Sequence, residues 1–365
     1  MKQLPLAAIV AAFFIALMWF VSVRQAVLFL VGIGMGSVLA GARFGFTTAW
    51  RRLIEQRDPR GVTAQIVLLA TAAALSMPLL AQFPQDLGAA LGPPSYSLLI
   101  GAFVFGLCMQ VADGCGSGTL YKAGLGIPLN MAILPIFALG SFLGSAQLDQ
   151  WLKLGSMKPF GLVAQFGPIE ALGITGLGLA IFGAVALRWC GKSTPWFDRR
   201  LCIAAIALAA LMAANLLIAG QSWGIVYGFG LWAAKAATAI GAFDPTLNHF
   251  WSEPTNFNLL SQSILLDVTS ITDIGILAGA LLIATRKSAT QKIAVRVTGK
   301  QWIAGLIAGF LLGYSSRLAF GCNIGAMVSG ISTGSVHGWI WVPLAFCGSL
   351  IGVRVRRYLN NPSPS

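Results

Sequence analysis

Residues 106–118 read GLCMQVADGCGSG, and residues 313–325 read GYSSRLAFGCNIG. At one constant offset Gly106 aligns with Gly313, Ala112 with Ala319, Gly114 with Gly321, Cys115 with Cys322 and Gly118 with Gly325. An apolar run leads into each motif, and a small-residue stretch and a second apolar run follow it. Glycine-rich membrane helices resemble one another through their packing needs alone. A Gly-Cys-x-x-Gly match that carries its preceding glycine at the same offset is read instead as an internal repeat.

Working outward from the motifs, the 365-residue chain is 57% hydrophobic and only 10% charged. A soluble domain carries about 25% charged residues, so a water-soluble fold would expose too much apolar surface. The class is an all-α polytopic membrane protein. A span needs about 20 apolar residues. The runs that qualify are 5–22, 25–41, 62–82, 96–113, 128–147, 169–189, 201–219, 262–285, 301–320 and 336–353. The first could pass for a signal peptide, but no small-residue cleavage site follows it, and it is read as a span.

The net charge of +13 sits in short loops: Arg51, Arg52, Arg57 and Arg60; Arg188, Lys192, Arg199 and Arg200; Arg286, Lys287, Lys292, Arg296 and Lys300; and Arg354, Arg356 and Arg357. This is the positive-inside pattern, with anionic lipid of the bilayer as partner. No basic groove or aromatic platform points to nucleic acid. Loops 42–61, 188–200 and 286–300 and the C-terminus are therefore expected in the cytoplasm, and loops 83–95 and 244–257 outside, in a multi-pass protein of the bacterial inner membrane. Segment 222–243, interrupted by Gly224, Gly228, Gly230 and Lys235, must enter and leave on one side, as a re-entrant or broken helix does.

The charges send 96–113 inward and 301–320 outward. The two copies are then antiparallel, and the chain divides into pseudo-symmetric inverted halves, 1–190 with the GCGSG motif and 191–365 with GCNIG. Transporters of such architecture hold their site at the repeat interface, on discontinuous helices near the midplane.

Gly114, Gly116 and Gly118 break the helix, and a short helix can start again at Thr119–Lys122. Cys115 then stands near a helix N-terminus, where free N–H groups and the dipole favour an anion. Cys322 is placed the same way among Gly321, Asn323 and Gly325. A thiol is soft and weakly hydrated and suits a sulfur-bearing anion better than chloride. A thiolate would repel a dianion, so the neutral thiol is favoured as a hydrogen-bond donor, with transient persulfide chemistry as the alternative. Cys190, Cys202 and Cys347 read as small core residues, and Cys108 as a core or path-lining one. The stretch RFGFTTAW at 43–50 offers Arg43 either as an anion funnel or as an ordinary basic anchor. Asp113, Lys122, Lys235 and Arg317 are charges beside the breaks and have functional value at membrane depth; Asp113 calls for a cationic partner. His337 reads as an interfacial hydrogen-bonding residue beside Trp339 and Trp341. No phosphate loop or cofactor motif is present, and two histidines without a C-x-x-C or H-x-x-x-H spacing argue against a metal centre.

At GCGSGTLYKAG (114–124) and RLAFGCNIGAMVSGISTGSVHGW (317–339), with glycine-rich lead-ins at 101–106 and 309–313, the chain resembles the YeeE/YedE family of bacterial membrane proteins. The resemblance implies an hourglass-like helical fold with short helices meeting at a constriction. It implies a transporter rather than an enzyme, with thiosulfate passed along three cysteines by S–H contacts. Cys115 and Cys322 correspond to the second and third of these. Thr47 takes the place of the first; its hydroxyl still donates but is a harder group. The resemblance also implies a cytosolic TusA-like sulfur-carrier protein as a possible partner, which a persulfide relay through Cys115 or Cys322 would serve.

Overall fold

The structure is a computed structural model that describes residues 3–190, 195–286 and 297–360. Lys192, Lys287, Lys292 and Arg296, part of the inside-charge argument, lie outside the described residues.

The described elements are helices, with no named strand. The N-terminal set runs α1 (Gln3–Phe20), α2 (Val23–Ala42), α3 (Phe46–Gln56), α4 (Arg60–Gln82), α5 (Tyr96–Val111), α6 (Gly116–Gly124) and α7 (Pro128–Ala146). Two short helices, α8 (Leu148–Leu152) and α9 (Leu162–Phe166), lead to α10 (Pro168–Trp189). Then follow α11 (Arg199–Ala219), α12 (Val226–Ala239), the small helices α13 (His249–Ser252) and α14 (Pro254–Ser261), α15 (Val268–Arg286) and α16 (Gly299–Leu318). A π-helix (Asn323–Ser329) runs into α17 (Gly330–Ser332), and α18 (Val336–Asn360) closes the set.

Nine helical segments among the described residues are long and apolar enough to cross a membrane. They correspond to nine of the ten runs read as spans, with some boundaries moved. Helix α1 has an apolar stretch of Pro5–Phe20 and is not among the nine. Helix α15 begins at 268 rather than 262, because the Asp267 carboxylate accepts the Ser270 N–H at 2.7 Å and stops the helix from extending backward. Helix α18 runs on past 353, since arginines continue a helix well; Arg356 and Arg357 reach Asp113 and Glu55. Segment 222–243 becomes the 14-residue α12, too short to count among the nine.

Helices pair through glycines. Helix α2 lies on α15, with Gly36 against the backbone of Ile276 and Gly275 against that of Phe29. Helix α5 lies on α18, where Gly106 meets Ala345, Gly348 meets Phe103 and Gly352 meets Leu107. Helix α7 lies on α16, where Gly313 meets Phe137, Gly140 meets Phe310 and Gly144 meets Tyr314. A Cβ at any of these positions would land on partner backbone. In lipid, apolar surface alone does not pull helices together, so this close approach supplies the packing energy. The Ser349 hydroxyl adds a bond to the Gly106 carbonyl at 2.9 Å. Trp50, Phe105 and Trp341 fill the interior between α3, α5 and α18. Helix α10, by contrast, exposes Ile169, Leu177 and Ile181, an apolar face of the kind lipid covers.

Candidate functional site

Each Gly-Cys motif interrupts its helix in the same way. After α5, Asp113 takes the left-handed conformation at φ 55, and two residues later Cys115, at φ −90 and ψ −169, caps α6. After α16, Phe320 turns left-handed at φ 56, and two residues later Cys322, at φ −91 and ψ −166, caps the π-helix. Gly321 between them needs glycine twice over. Its φ is 149, and a Cβ would strike the backbone of Gly325 and Ala326.

The sulfur atoms perform the capping. Cys115 Sγ accepts the Gly118 N–H at 3.4 Å, with Ser117 Oγ also 3.4 Å away. Cys322 Sγ accepts the Ile324 N–H at 3.4 Å. Both residues are fully buried. A sulfur whose lone pair is engaged by a helix N–H still has its own S–H to donate.

The two caps touch. A Cβ at Gly116 would lie 3.0 Å from Cys322 Sγ and 3.4 Å from Val226 at the start of α12. The beginnings of α6, the π-helix and α12 therefore converge. Ser141 and Ser329 fasten the α12 end, donating to the carbonyls of Val226 and Trp223 at 2.9 and 2.6 Å.

A third helix start joins them. Arg43 ends α2 in the left-handed conformation at φ 53, and two residues later Gly45 caps α3. Gly45 holds the N-cap position of α3 as the cysteines do for their helices, with ψ at 122 where theirs are −169 and −166. Thr47 lies two residues further on, in the first turn of α3. A narrow crevice of about 10 Å³, room for roughly one water, is lined by Gly45, Thr47, Gly114, Cys115, Tyr121 and Lys122. Sequence reasoning missed Gly45 because it matched residue types; the left-handed residue two places upstream is the signal that unites the three sites.

Polar atoms without hydrogen-bond partners gather around the motifs. They include Thr47 Oγ1, Thr119 Oγ1, Asn130 Nδ2 and both amide atoms of Asn323. Thr119 Oγ1 and Asn130 Nδ2 stand beside Gly114. Buried polar groups are rarely left unsatisfied, and a polar guest would satisfy these.

The charge beside the first break finds its partners. Asp113 receives Arg51 of α3 at 2.7 Å, Lys122 of α6 at 2.9 Å and Arg356 of α18 at 3.2 Å, and Lys122 also bonds the Asp113 carbonyl. The other expected charges are occupied elsewhere. Arg317 bonds Ser145 Oγ at 2.7 Å and lies over the rings of Tyr227 and Phe250. Lys235 donates to the carbonyls of Leu260 and Gln262. His337 is 1% exposed, bonds Ser335 Oγ at 2.6 Å and fills the space left by Gly92 and Gly330. Cys108 and Cys202 are buried, and Cys347 is exposed. A further buried acid, Asp273 of α15, escaped the sequence reading altogether.

The fold and these converging helix starts define a polytopic helical membrane protein with a buried, thiol-capped centre. Residues 41–351 match the model of the family described as sulphur transport, and the chain belongs to that family, as the resemblance to YeeE/YedE proteins anticipated. It is 25% identical over 327 residues to the thiosulfate transporter TsuA of Spirochaeta thermophila, an alignment covering 85% of this chain and 92% of that protein. It is 24% identical over 153 residues to the probable transporter YedE of Escherichia coli, covering 40% of this chain and 37% of that protein. The YedE of Salmonella typhimurium is 26% identical over 154 residues, covering 40% and 36%.

Proposed function

We propose that this protein carries thiosulfate, a small sulfur-bearing dianion, across the bacterial plasma membrane along a path lined by Cys115 and Cys322. The observation that carries the reading is the pair of caps. Two fully buried cysteines with matching backbone geometry begin two helices that meet at Gly116. Helix N-termini draw anions through their unpaired N–H groups and dipole. The neutral thiols add soft S–H donors at the narrowest point. Thr47 and the amide of Asn323 supply further donors on either side, while Gly114, Gly116, Gly118, Gly321 and Gly325 keep the backbone close to the ion. Arg43, exposed at the end of α2, serves as the funnel on the cytoplasmic side. The crevice as it stands admits about one water, so passage of the ion requires side chains to move aside.

The same reading takes the halves 1–190 and 191–365 as an inverted repeat with α6 and the π-helix as its re-entrant pieces. What supports this is the exchange of partners: α5 lies on α18 while α7 lies on α16, and α4 packs on α11 while α2 packs on α15. Phe103 and Leu107 receive Gly348 and Gly352 just as Phe310 and Tyr314 receive Gly140 and Gly144. The offset grows by one residue from the first pair of helices to the second, and the π-helix, which takes an extra residue per turn, absorbs it.

The test is growth on thiosulfate as sole sulfur source in a strain stripped of other uptake routes. Expression of the protein should restore growth and uptake of labelled thiosulfate. Growth that stays absent with the protein correctly inserted would refute the substrate assignment.

A further inference from the structure

We propose that Asp273 is the proton-carrying group of this transporter, binding a proton from the outer side and releasing it inward with each ion that passes; the proposal rests on the thiosulfate reading above. Asp273 is 0% exposed, and neither carboxylate oxygen has a hydrogen-bond partner. An acid at membrane depth is costly and is kept where it has work to do. An unpaired, buried carboxylate is not a structural element, because nothing offsets the loss of its hydration.

Its surroundings point to a role in transport. A Cβ at Gly228 would fall 2.9 Å from Asp273 Oδ2, so the carboxyl faces the first turn of α12, one of the helix starts that converge on the thiols. Asp267, the residue that caps α15, is followed at three-residue steps by Ser270 and Asp273 within the helix. Asp267 Oδ2 accepts from the Ser270 N–H at 2.7 Å and from its hydroxyl at 2.6 Å, and Trp232 Nε1 of α12 donates to Ser270 Oγ at 2.8 Å. A polar rail thus leads from loop 261–267 towards Asp273, and that loop follows the stretch the charge pattern puts outside.

The other titratable groups nearby have different commitments. On α12, Lys235 serves carbonyls and Tyr227 donates to Asn256 at 2.8 Å. On α2, Arg24 bonds the carbonyls of Ile218 and Ala219, and Arg43 lies at the far end of the helix. On α6, Lys122 holds Asp113, and Tyr121 lines the crevice. On the π-helix, Cys322 caps. None of them hydrogen-bonds the Asp273 carboxyl. A proton needs only the carboxyl itself, whereas a metal cation needs several oxygen ligands. The need is physical as well: a membrane potential negative inside opposes entry of a dianion, and each proton carried with it removes one unit of that opposition.

The experiment uses the full protein in proteoliposomes with a pH-sensitive dye inside. Wild type should acidify the lumen when thiosulfate is added outside, and uptake should rise severalfold under an inward proton gradient. Asp273→Asn copies the protonated shape. It should still exchange labelled for unlabelled thiosulfate but lose both the acidification and the response to the gradient. A wild type that takes up thiosulfate without moving protons, or that responds only to sodium, overturns this proposal alone. So does an Asp273→Asn protein that keeps gradient-driven uptake. A wild type that moves no thiosulfate at all overturns this proposal together with the substrate reading.

Discussion

The two Gly-Cys motifs share a backbone and differ in what surrounds them. Cys115 begins an ordinary α-helix whose far end carries Lys122, and the break before it is pinned by Asp113 to three cations. Cys322 begins a π-helix, and the residue before its break is Phe320, with an amide, Asn323, left without partners just beyond. One copy stands beside an ion cluster; flanking the other are an aromatic residue and a neutral amide. The difference shows that a repeated cap can keep its geometry while its electrostatic setting diverges. The N-terminal cap is suited to the charged mouth of a path, and the C-terminal cap to its dry interior.

The most severe test of the symmetry is steric. Gly106→Leu and Gly313→Leu both force a side chain onto partner backbone, and overpacking costs about 1–3 kcal/mol, sometimes more, the upper end being expected where backbone is struck. Both variants should fail to accumulate as folded protein, measured by detergent-solubilised yield and monodispersity. If one is tolerated, the two halves do not pack alike.

Next in size is Asp113→Asn. Removing a partly buried carboxylate leaves Arg51, Lys122 and Arg356 facing one another. Breaking a buried pair costs about 3–5 kcal/mol; with the Asp113 side chain 30% exposed, an effect on the order of 2 kcal/mol is expected. A thermal-shift assay should show a lowered Tm, reduced further at low salt, where like charges are screened less. No change in Tm would mean that the ionic cluster does not hold the first break together.

How much of this was legible in the sequence follows from what each signal depends on. Spans were readable because bilayer thickness sets their length, and the two helix breaks because Gly-Cys recurs at one offset. The pairing of α5 with α18 was not, since glycines mark a close approach without naming the partner. Asp273 was hidden by the hydropathy of the run around it: one acid barely lowers the average of a twenty-residue window. The three-way grip on Asp113 draws on α3, α6 and α18, which only the fold brings together. Gly45 was overlooked because its equivalence to the cysteines lies in a dihedral angle two residues upstream.

Smaller effects separate the caps from their neighbours. In Gly116→Ala the new methyl presses on Cys322 Sγ at 3.0 Å, so the sulfur must shift by a few tenths of an ångström. Uptake of labelled thiosulfate should fall about tenfold, equivalent to about 1.4 kcal/mol, with Tm little changed. An unaltered uptake rate would place the ion's route away from this contact. Thr47→Ala should cost only a few-fold, since water can replace a hydroxyl in the crevice, and Thr47→Cys should keep or raise uptake. A dead Thr47→Ala would move the critical donor from the thiols to α3.

The central claim is that the buried thiols themselves conduct the ion, and Cys322→Ala tests it most directly. The substitution removes the donor where the ion is least hydrated, and a hydrogen bond to a charged group is worth about 1.5–3 kcal/mol. Labelled thiosulfate uptake into proteoliposomes, compared with wild type at equal reconstitution, should fall by up to about a hundredfold while the protein remains folded. Uptake at the wild-type rate would contradict the account and leave Cys322 as a packing residue.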